Sequence, residues 1–308
     1  MKCKITGKTI SPFMSFGKMP IANGFIKKDD FSKEFFFNME VGFNEELSLF
    51  QLNDHPKPEK MFNENYPFFT GSSEYMKKHF RDYAEFVKKY IKNNSKIIEI
   101  GSNDGTFLQN FIDESINGIG FEPSKNVADK AIKNKVNTIN DFFNKNSVKK
   151  LKDYSGNTDL ICASNVICHV PNLNDLIESV DLLLSKNGTF VFEEPYLGSM
   201  FKKVSYDQIY DEHIYMFSAS SIAKIFSRFN LQLVDAIPQS THGGSMRYII
   251  QRNKNAEISN NLKNIINYEK EQRLNSIDSC IEFKKKCEIS KNRIIKKIRN
   301  FKSSGKSI

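Results

Sequence analysis

The chain has 308 residues, 39% of them hydrophobic. That is enough for two or three packed modules with a sizeable core, which excludes wholesale disorder. No run approaches the roughly 18 to 20 apolar residues of a membrane span, residues 1–10 (MKCKITGKTI) lack the apolar core of a secretion signal, and the five cysteines form no CxxC pair, so the compartment reads as a reducing cytoplasm. The formal charge is +9, yet residues 284–308 hold ten Lys or Arg against the single acid Glu288, a surplus of nine, so the charge argument concerns one tail and the rest is balanced.

In chain order, residues 1–75 are rich in Phe, Gly and Pro and read as a small irregular or β-rich module. Residues 74–93 place Tyr75, Phe80, Tyr83, Phe86, Val87 and Tyr90 mostly at intervals of three to five, a helical stripe. Residues 96–100 (KIIEI) are an apolar run ended by Gly101, which predicts a buried strand. A helix is expected over 106–112, strands over 118–121, 136–139, 160–164 and 189–193, and helices from 124 to about 133, from about 144 and over 172–184. Strands alternating with helices predict a doubly wound α/β sheet. A serine-capped helix follows over 218–229, then strands over 232–236 and 246–251. Residues 256–300 read as one long polar, helix-permissive segment. The basic tail reads as a solvated helix surface, with a grip on phosphate or nucleic acid as the alternative.

Chemistry is suggested first by Glu99-Ile100-Gly101-Ser102-Asn103-Asp104-Gly105, which follows the first buried strand and is expected to open a helix. Glycines there let the backbone turn and approach a ligand, and a helix N-terminus offers unpaired N–H groups. A dinucleotide site would show G-x-G-x-x-G. Here only two glycines occur, with three residues between them, and Asp104 would oppose a pyrophosphate. A cofactor with a cationic amine and a sulfonium tolerates such acids, which favours S-adenosylmethionine. Glu122, 21 residues after Gly101, can accept ribose hydroxyls; Asp141 and Phe142 can meet the adenine; Asn165 can meet the methionine end. Each signal alone is ordinary, but four at successive strand ends point to one ligand site.

A second constellation is Tyr210-Asp211-Glu212-His213-Ile214-Tyr215, joined by His169 in NVICHV and by His242 in HGGSMR. A histidine beside Glu212 has a partner to orient it and to stabilise its charged form, as a general base requires.

These stretches, with residues 66–73 (YPFFTGSS), Met76, His79 and EEPYLG, occur in the order found in the sugar C-methyltransferases of deoxysugar biosynthesis, and the sequence resembles that family over its whole length. The resemblance implies a class I methyltransferase, Rossmann-like α/β sheet, with a small irregular or β N-terminal module and a long C-terminal helical segment. It implies four parts: residues 1–75 on the substrate side, 76–205 binding S-adenosylmethionine, 206–255 a catalytic extension, and 256–308 a helical linker. The substrate implied is a nucleotide-linked keto-sugar. His213 is then the general base, with Glu212 and Tyr210 beside it, and Tyr66 and His169 contact substrate or enolate. Carbon is a poor nucleophile until deprotonated, and the enolate oxygen needs a donor.

Two departures matter. Many members of that family carry an N-terminal zinc site of two CxxC pairs; here Cys3 is followed by Thr6, and the later pair falls near Asn44 and Leu47, so no structural zinc is expected. Members also continue into a further C-terminal domain, so the chain is expected to be a fragment or a shortened protein. Competing readings are an O- or N-methyltransferase on another small molecule and, more remotely, a basic nucleic-acid binder; neither nucleic acid nor membrane is the expected partner, and the oligomeric state is not encoded legibly.

Overall fold

The structure, a computed structural model, describes residues 1–112, 115–252 and 256–307. In chain order its strands are β1 (Pro12–Pro20), β2 (Phe36–Asn44), β3 (Leu49–Leu52), β4 (Lys96–Ile100), β5 (Asn117–Phe121), β6 (Thr138–Ile139), β7 (Thr158–Ser164), β8 (Leu184–Pro195), β9 (Tyr215–Met216), β10 (Gln232–Gln239) and β11 (Ser245–Gln251). Its α-helices are α1 (Pro58–Met61), α2 (Glu74–Val87), α3 (Lys125–Lys133), α4 (Lys145–Val148), α5 (Leu173–Leu183), α6 (Leu197–Lys203), α7 (Ala219–Phe226), α8 (Asn260–Glu271) and α9 (Ile277–Ser303).

The central sheet runs β10-β11-β8-β7-β4-β5-β6. From β8 to β6 the strands are parallel, and β11 is antiparallel to both β8 and β10. Alternate residues feed opposite faces: Ile98, Ile100, Ile161 and Ala163 enter one core, while Ile97, Leu160, Cys162 and Val191 enter the other. Both faces are therefore covered, and this is why β4 and β7 read as continuous apolar runs. On one face α2 buries Phe80, Tyr83, Ala84 and Val87, its start capped by Ser73, whose side chain accepts from Met76 N at 3.3 Å. Chain order reverses at β4, which pairs with β5 on one side and β7 on the other. The crevice beyond the carboxyl ends of β4 and β7 is where such a sheet takes its ligand.

A second, antiparallel sheet runs β1-β2-β3-β9. Its core of Phe37, Val41, Phe43 and Phe50 is covered by Cys280, Phe283 and Cys287 of α9, and Phe283 stacks on Phe201 of α6 with centroids 4.5 Å apart. The β-rich N-terminal module is thus completed from elsewhere in the chain. Its fourth strand comes from the segment containing His213 and its cover from the C-terminal helix, so the four sequence parts describe chain order and interleave in space.

Three local expectations change. Residues 106–112 form only a 3-10 turn, Leu108–Phe111. There Asn110 Nδ2 donates to the carbonyls of Thr106 (3.0 Å) and Phe107 (2.8 Å), a side-chain alternative to the helical ladder. The expectation that a helix N-terminus follows the glycine turn is therefore corrected. The helix α6 was not anticipated; it ends at Val204 in the left-handed region (φ 55°). The segment read as one helical stretch is two helices with a break at Arg273 (φ 53°). It is docked: buried Glu269 of α8 accepts from Ala219 N (2.7 Å), Ser220 N (2.8 Å) and Ser220 Oγ (2.6 Å) at the start of α7. Among the described residues no helix is long and apolar enough to cross a membrane.

Candidate active site

A cavity of about 790 Å³ opens beyond the carboxyl ends of β4 and β7. Glu99, Gly101, Asn103, Glu122, Phe142 and Asn165 line it, together with Tyr66, His169, Tyr210, Glu212 and His213. Gly101 has φ +65°, and a Cβ there would strike Val166, so the β4 turn and the β7 turn meet only because position 101 is glycine.

Glu99 is 4% exposed, and its Oε2 has no hydrogen-bond partner. Burial pushes its carboxyl well above the usual carboxylate range, and the neighbouring Asp104 and Glu122 add repulsion. Glu122 is engaged differently from expectation. Its carboxylate accepts from Asn103 N (3.0 Å) and Ser124 N (2.7 Å), so it shapes the turn as well as facing the cavity.

Three expected contacts are corrected. Asp104 does not line this cavity: its carboxylate accepts from Gly71 N (2.9 Å) and Thr106 Oγ1 (2.6 Å). Gly105 (φ +81°) is also off the wall, and a Cβ there would strike Val136. Asp141 bonds the adjacent Phe142 N (2.9 Å) and faces Lys150 (3.8 Å), outside the cavity. The acid that argues for a cationic ligand is therefore Glu99, not Asp104. Asn103 and Asp104 act together as a clamp: Asn103 Oδ1 accepts from Thr70 N (2.8 Å) and its Nδ2 donates to Phe68 O (3.2 Å), so the TGSS segment is held over the glycine turn.

In the same cavity His213 is 8% exposed. Its Nδ1 lies 2.8 Å from the carbonyl oxygen of Gln208, which places the proton on Nδ1 and leaves Nε2 as the lone-pair nitrogen. Burial lowers its pKa to about 4 against the opposing pull of that carbonyl. Glu212 does not partner it. Glu212 Oε1 accepts from Asn23 Nδ2 (2.6 Å) and Oε2 from Tyr66 OH (3.5 Å). The expected stabilisation of a charged imidazole by Glu212 is thus corrected: the fold holds His213 neutral. Burial also raises Tyr66 and Tyr210 above the ordinary phenol value, with Glu212 adding to both, so both remain O–H donors. His169 is stacked between Phe62 (5.6 Å) and His213 (5.3 Å); burial first, then the two neighbouring histidines, keep it neutral, and its Nε2 has no partner.

Several groups escaped the sequence reading. Asn23 and Phe25 reach the cavity from the N-terminal module, and Ala22 N is fixed by Asp211 Oδ1 at 3.0 Å. Beneath Asn165 lies a buried ion network in which Glu193 meets His79 Nε2 (2.6 Å) and Arg247 Nε (2.6 Å), with Arg247 packed over Tyr83 and Phe86 at 4.4 Å. Among the described residues the cavity wall carries Glu59, Glu99, Glu122, Asp175 and Glu212 but no Lys or Arg. Among the described residues one trio of metal-competent groups lies together, Cys168, His169 and His213, with donor atoms within 4.8 Å. Burial holds the Cys168 thiol far up, in the neutral form that binds metals poorly.

A Rossmann-like sheet with its switch at β4, a glycine turn there, and buried orphaned acceptors facing the crevice define a class I S-adenosylmethionine-dependent methyltransferase. The chain belongs to the methyltransferase family whose model, "Methyltransferase domain", matches residues 73–236; residues 3–62 match the model "Putative zinc binding domain" and residues 240–308 the "C-methyltransferase C-terminal domain". It is 27% identical over 236 residues to the C-methyltransferase NovU of Streptomyces niveus, covering 76% of this chain and 56% of that protein. The chain thus spans little more than half the length of that relative. Among solved structures, the putative methyltransferase in complex with the Trm112 activator of Haloferax volcanii is similar with a TM-score of 0.46 and 12% identity, over 58% of this chain and 94% of that one. Magnesium protoporphyrin IX methyltransferase of Synechocystis, solved with bound SAH, has a TM-score of 0.46 and 12% identity, over 57% and 83%.

The zinc named in the N-terminal model does not fit the residues present. Cys3 and Leu47 are buried in an apolar core with Ile5 and Leu49, and Asn44 spends its Oδ1 on Leu47 N at 3.0 Å. One thiol, a leucine and a committed amide are not a zinc donor set.

Proposed function

We propose that the protein transfers a methyl group from S-adenosylmethionine to a carbon beside the ketone of a nucleotide-linked deoxysugar, with His213 as the base. The observation that carries this reading is the state of His213: neutral, oriented through Nδ1 by Gln208, and sharing one cavity with the orphaned acceptors Glu99 and Asn165. The cofactor fits those residues. Glu99 and Asn165 would hold its amino-acid end, Glu122 and Phe142 its adenosine. When bound it supplies a methyl group on a sulfonium, which a carbon nucleophile displaces.

The chain's own residues prepare that nucleophile. His213 Nε2 takes the proton from the carbon beside the ketone, and the electron pair moves to the ketone oxygen. Tyr210, held protonated, is the donor for the resulting oxyanion. Glu212, tied to Asn23 and Tyr66, fixes Tyr66 in place. Among the described residues the wall carries no Lys or Arg for a diphosphate, which supports entry of the sugar into this cavity with the diphosphate outside it.

The test is incorporation of carbon-labelled methyl from S-adenosylmethionine into a nucleoside-diphosphate keto-deoxysugar, with the product read by NMR. A new carbon–carbon bond, lost with His213→Ala, supports the reading. A methyl on oxygen or nitrogen refutes it in favour of another acceptor.

A further inference from the structure

The hairpin turn between β10 and β11 reaches the site because β11 starts opposite Pro195, the carboxyl end of β8. Its residue His242 lines the cavity and adopts φ 49°, ψ 37°. Opposite it, Asn165 follows β7 with φ 55°. Two non-glycine residues in the left-handed region, touching each other at the wall of one cavity, are strained positions that the surroundings must enforce. They do: Asn165 N donates to Glu193 O at 2.8 Å, Gly244 N to Thr241 O at 2.8 Å, Ser245 Oγ to Thr241 O at 3.1 Å, and Lys203 Nζ to Gly243 O.

The contact these two residues make is specific. Asn165 Nδ2 lies 3.1 Å from His242 Nε2. An amide nitrogen can only donate, so His242 Nε2 is the acceptor and its proton sits on Nδ1. This fixes which way the Asn165 amide faces, and Oδ1 is left buried and without a partner. Glu99, on the neighbouring strand end, has a second buried oxygen without a partner. The Asn165 oxygen can only accept, and the Glu99 carboxyl accepts once a cation beside it draws off its proton; among the described residues the wall offers no Lys or Arg to meet them, so the ligand brings the N–H donors itself.

We propose that His242 is a positioning residue: by accepting the Asn165 amide N–H it locks the Asn165 carbonyl oxygen as an acceptor for a primary ammonium, the amino-acid end of the cofactor. This rests on the cofactor reading above, and the experiment separates the two. Calorimetry on the full chain uses S-adenosylhomocysteine and methylthioadenosine, which lacks the amino-acid end. His242→Gly deletes the imidazole without a backbone penalty at this φ, and His242→Gln restores an amide oxygen in its place. The expected result is a loss of about tenfold in affinity for S-adenosylhomocysteine with His242→Gly. Affinity for methylthioadenosine should stay within about twofold, and most of the loss should be recovered with His242→Gln. Equal losses for both ligands, or no loss for either, overturn the proposal and leave the cofactor reading standing. Failure of the unaltered chain to bind either ligand overturns both.

Discussion

His213 and Gln208 form the contact that sets the chemistry: the imidazole Nδ1 lies 2.8 Å from the Gln208 carbonyl oxygen, while the adjacent Glu212 turns away to Asn23 and Tyr66. A carbonyl fixes a tautomer without adding a counter-charge. With its pKa near 4, His213 is in its base form throughout the neutral range. The acidic limb of kcat/KM should therefore fall below about pH 5, and a limb centred near the ordinary histidine value would contradict the assigned environment. The rate profile with labelled methyl donor measures this.

The same burial makes a stability prediction. A histidine whose folded pKa lies below its unfolded value stabilises the fold above the unfolded pKa and loses that contribution as pH falls through the folded one. For His213 the window runs from 6.5 down to about 4, and His169 acts in the same direction. The contribution of His213 is up to about 3 kcal/mol. Urea midpoints should drop steeply across that window, and less steeply in His213→Gln.

Gly101→Ala should destabilise the protein by more than about 2 kcal/mol, since it adds both a clash and a left-handed alanine. The clash is with Val166, so adding Val166→Ala should recover part of the loss and leave the backbone cost. Denaturant unfolding of the single and double variants resolves the two parts; equal stability of both would show that Val166 is not the obstacle.

Glu269→Ala should cost about 2–4 kcal/mol, because it strands the buried donors of Ala219 and Ser220 at the start of α7. The helix α8 should then lose protection in hydrogen exchange before the central sheet does.

Much of this molecule was legible in its sequence for a plain reason: β4 and β7 are buried on both faces, so KIIEI and LICAS could not be mistaken for amphipathic segments. The serine cap of α7 was equally local, since Ser218 accepts from Ser221 N at 3.0 Å. What escaped depends on long-range contact. Asp104 looked like a ligand-facing acid because the turn containing it does face the cavity, but Gly71, far away in sequence, claims its carboxylate. Glu212 looked like the partner of His213 because the two are adjacent, yet adjacency in an irregular segment says nothing about direction. Asn23 and Gln208 carried no signal at all; nothing in their neighbourhoods marks them as partners of Glu212 and His213. The interleaving of β9 with the N-terminal sheet was hidden for a similar reason, because a two-residue strand has no period to read.

Proton removal by a neutral His213 can be measured apart from methyl transfer. The keto-sugar should be incubated in deuterium oxide with S-adenosylhomocysteine in place of the methyl donor, so that methylation cannot follow. Deuterium should enter at the carbon beside the ketone with the unaltered protein, as the role of His213 requires. Exchange should be slower by at least about a hundredfold with His213→Ala, while S-adenosylhomocysteine binds that variant equally well. Exchange that proceeds undiminished in His213→Ala would contradict that role.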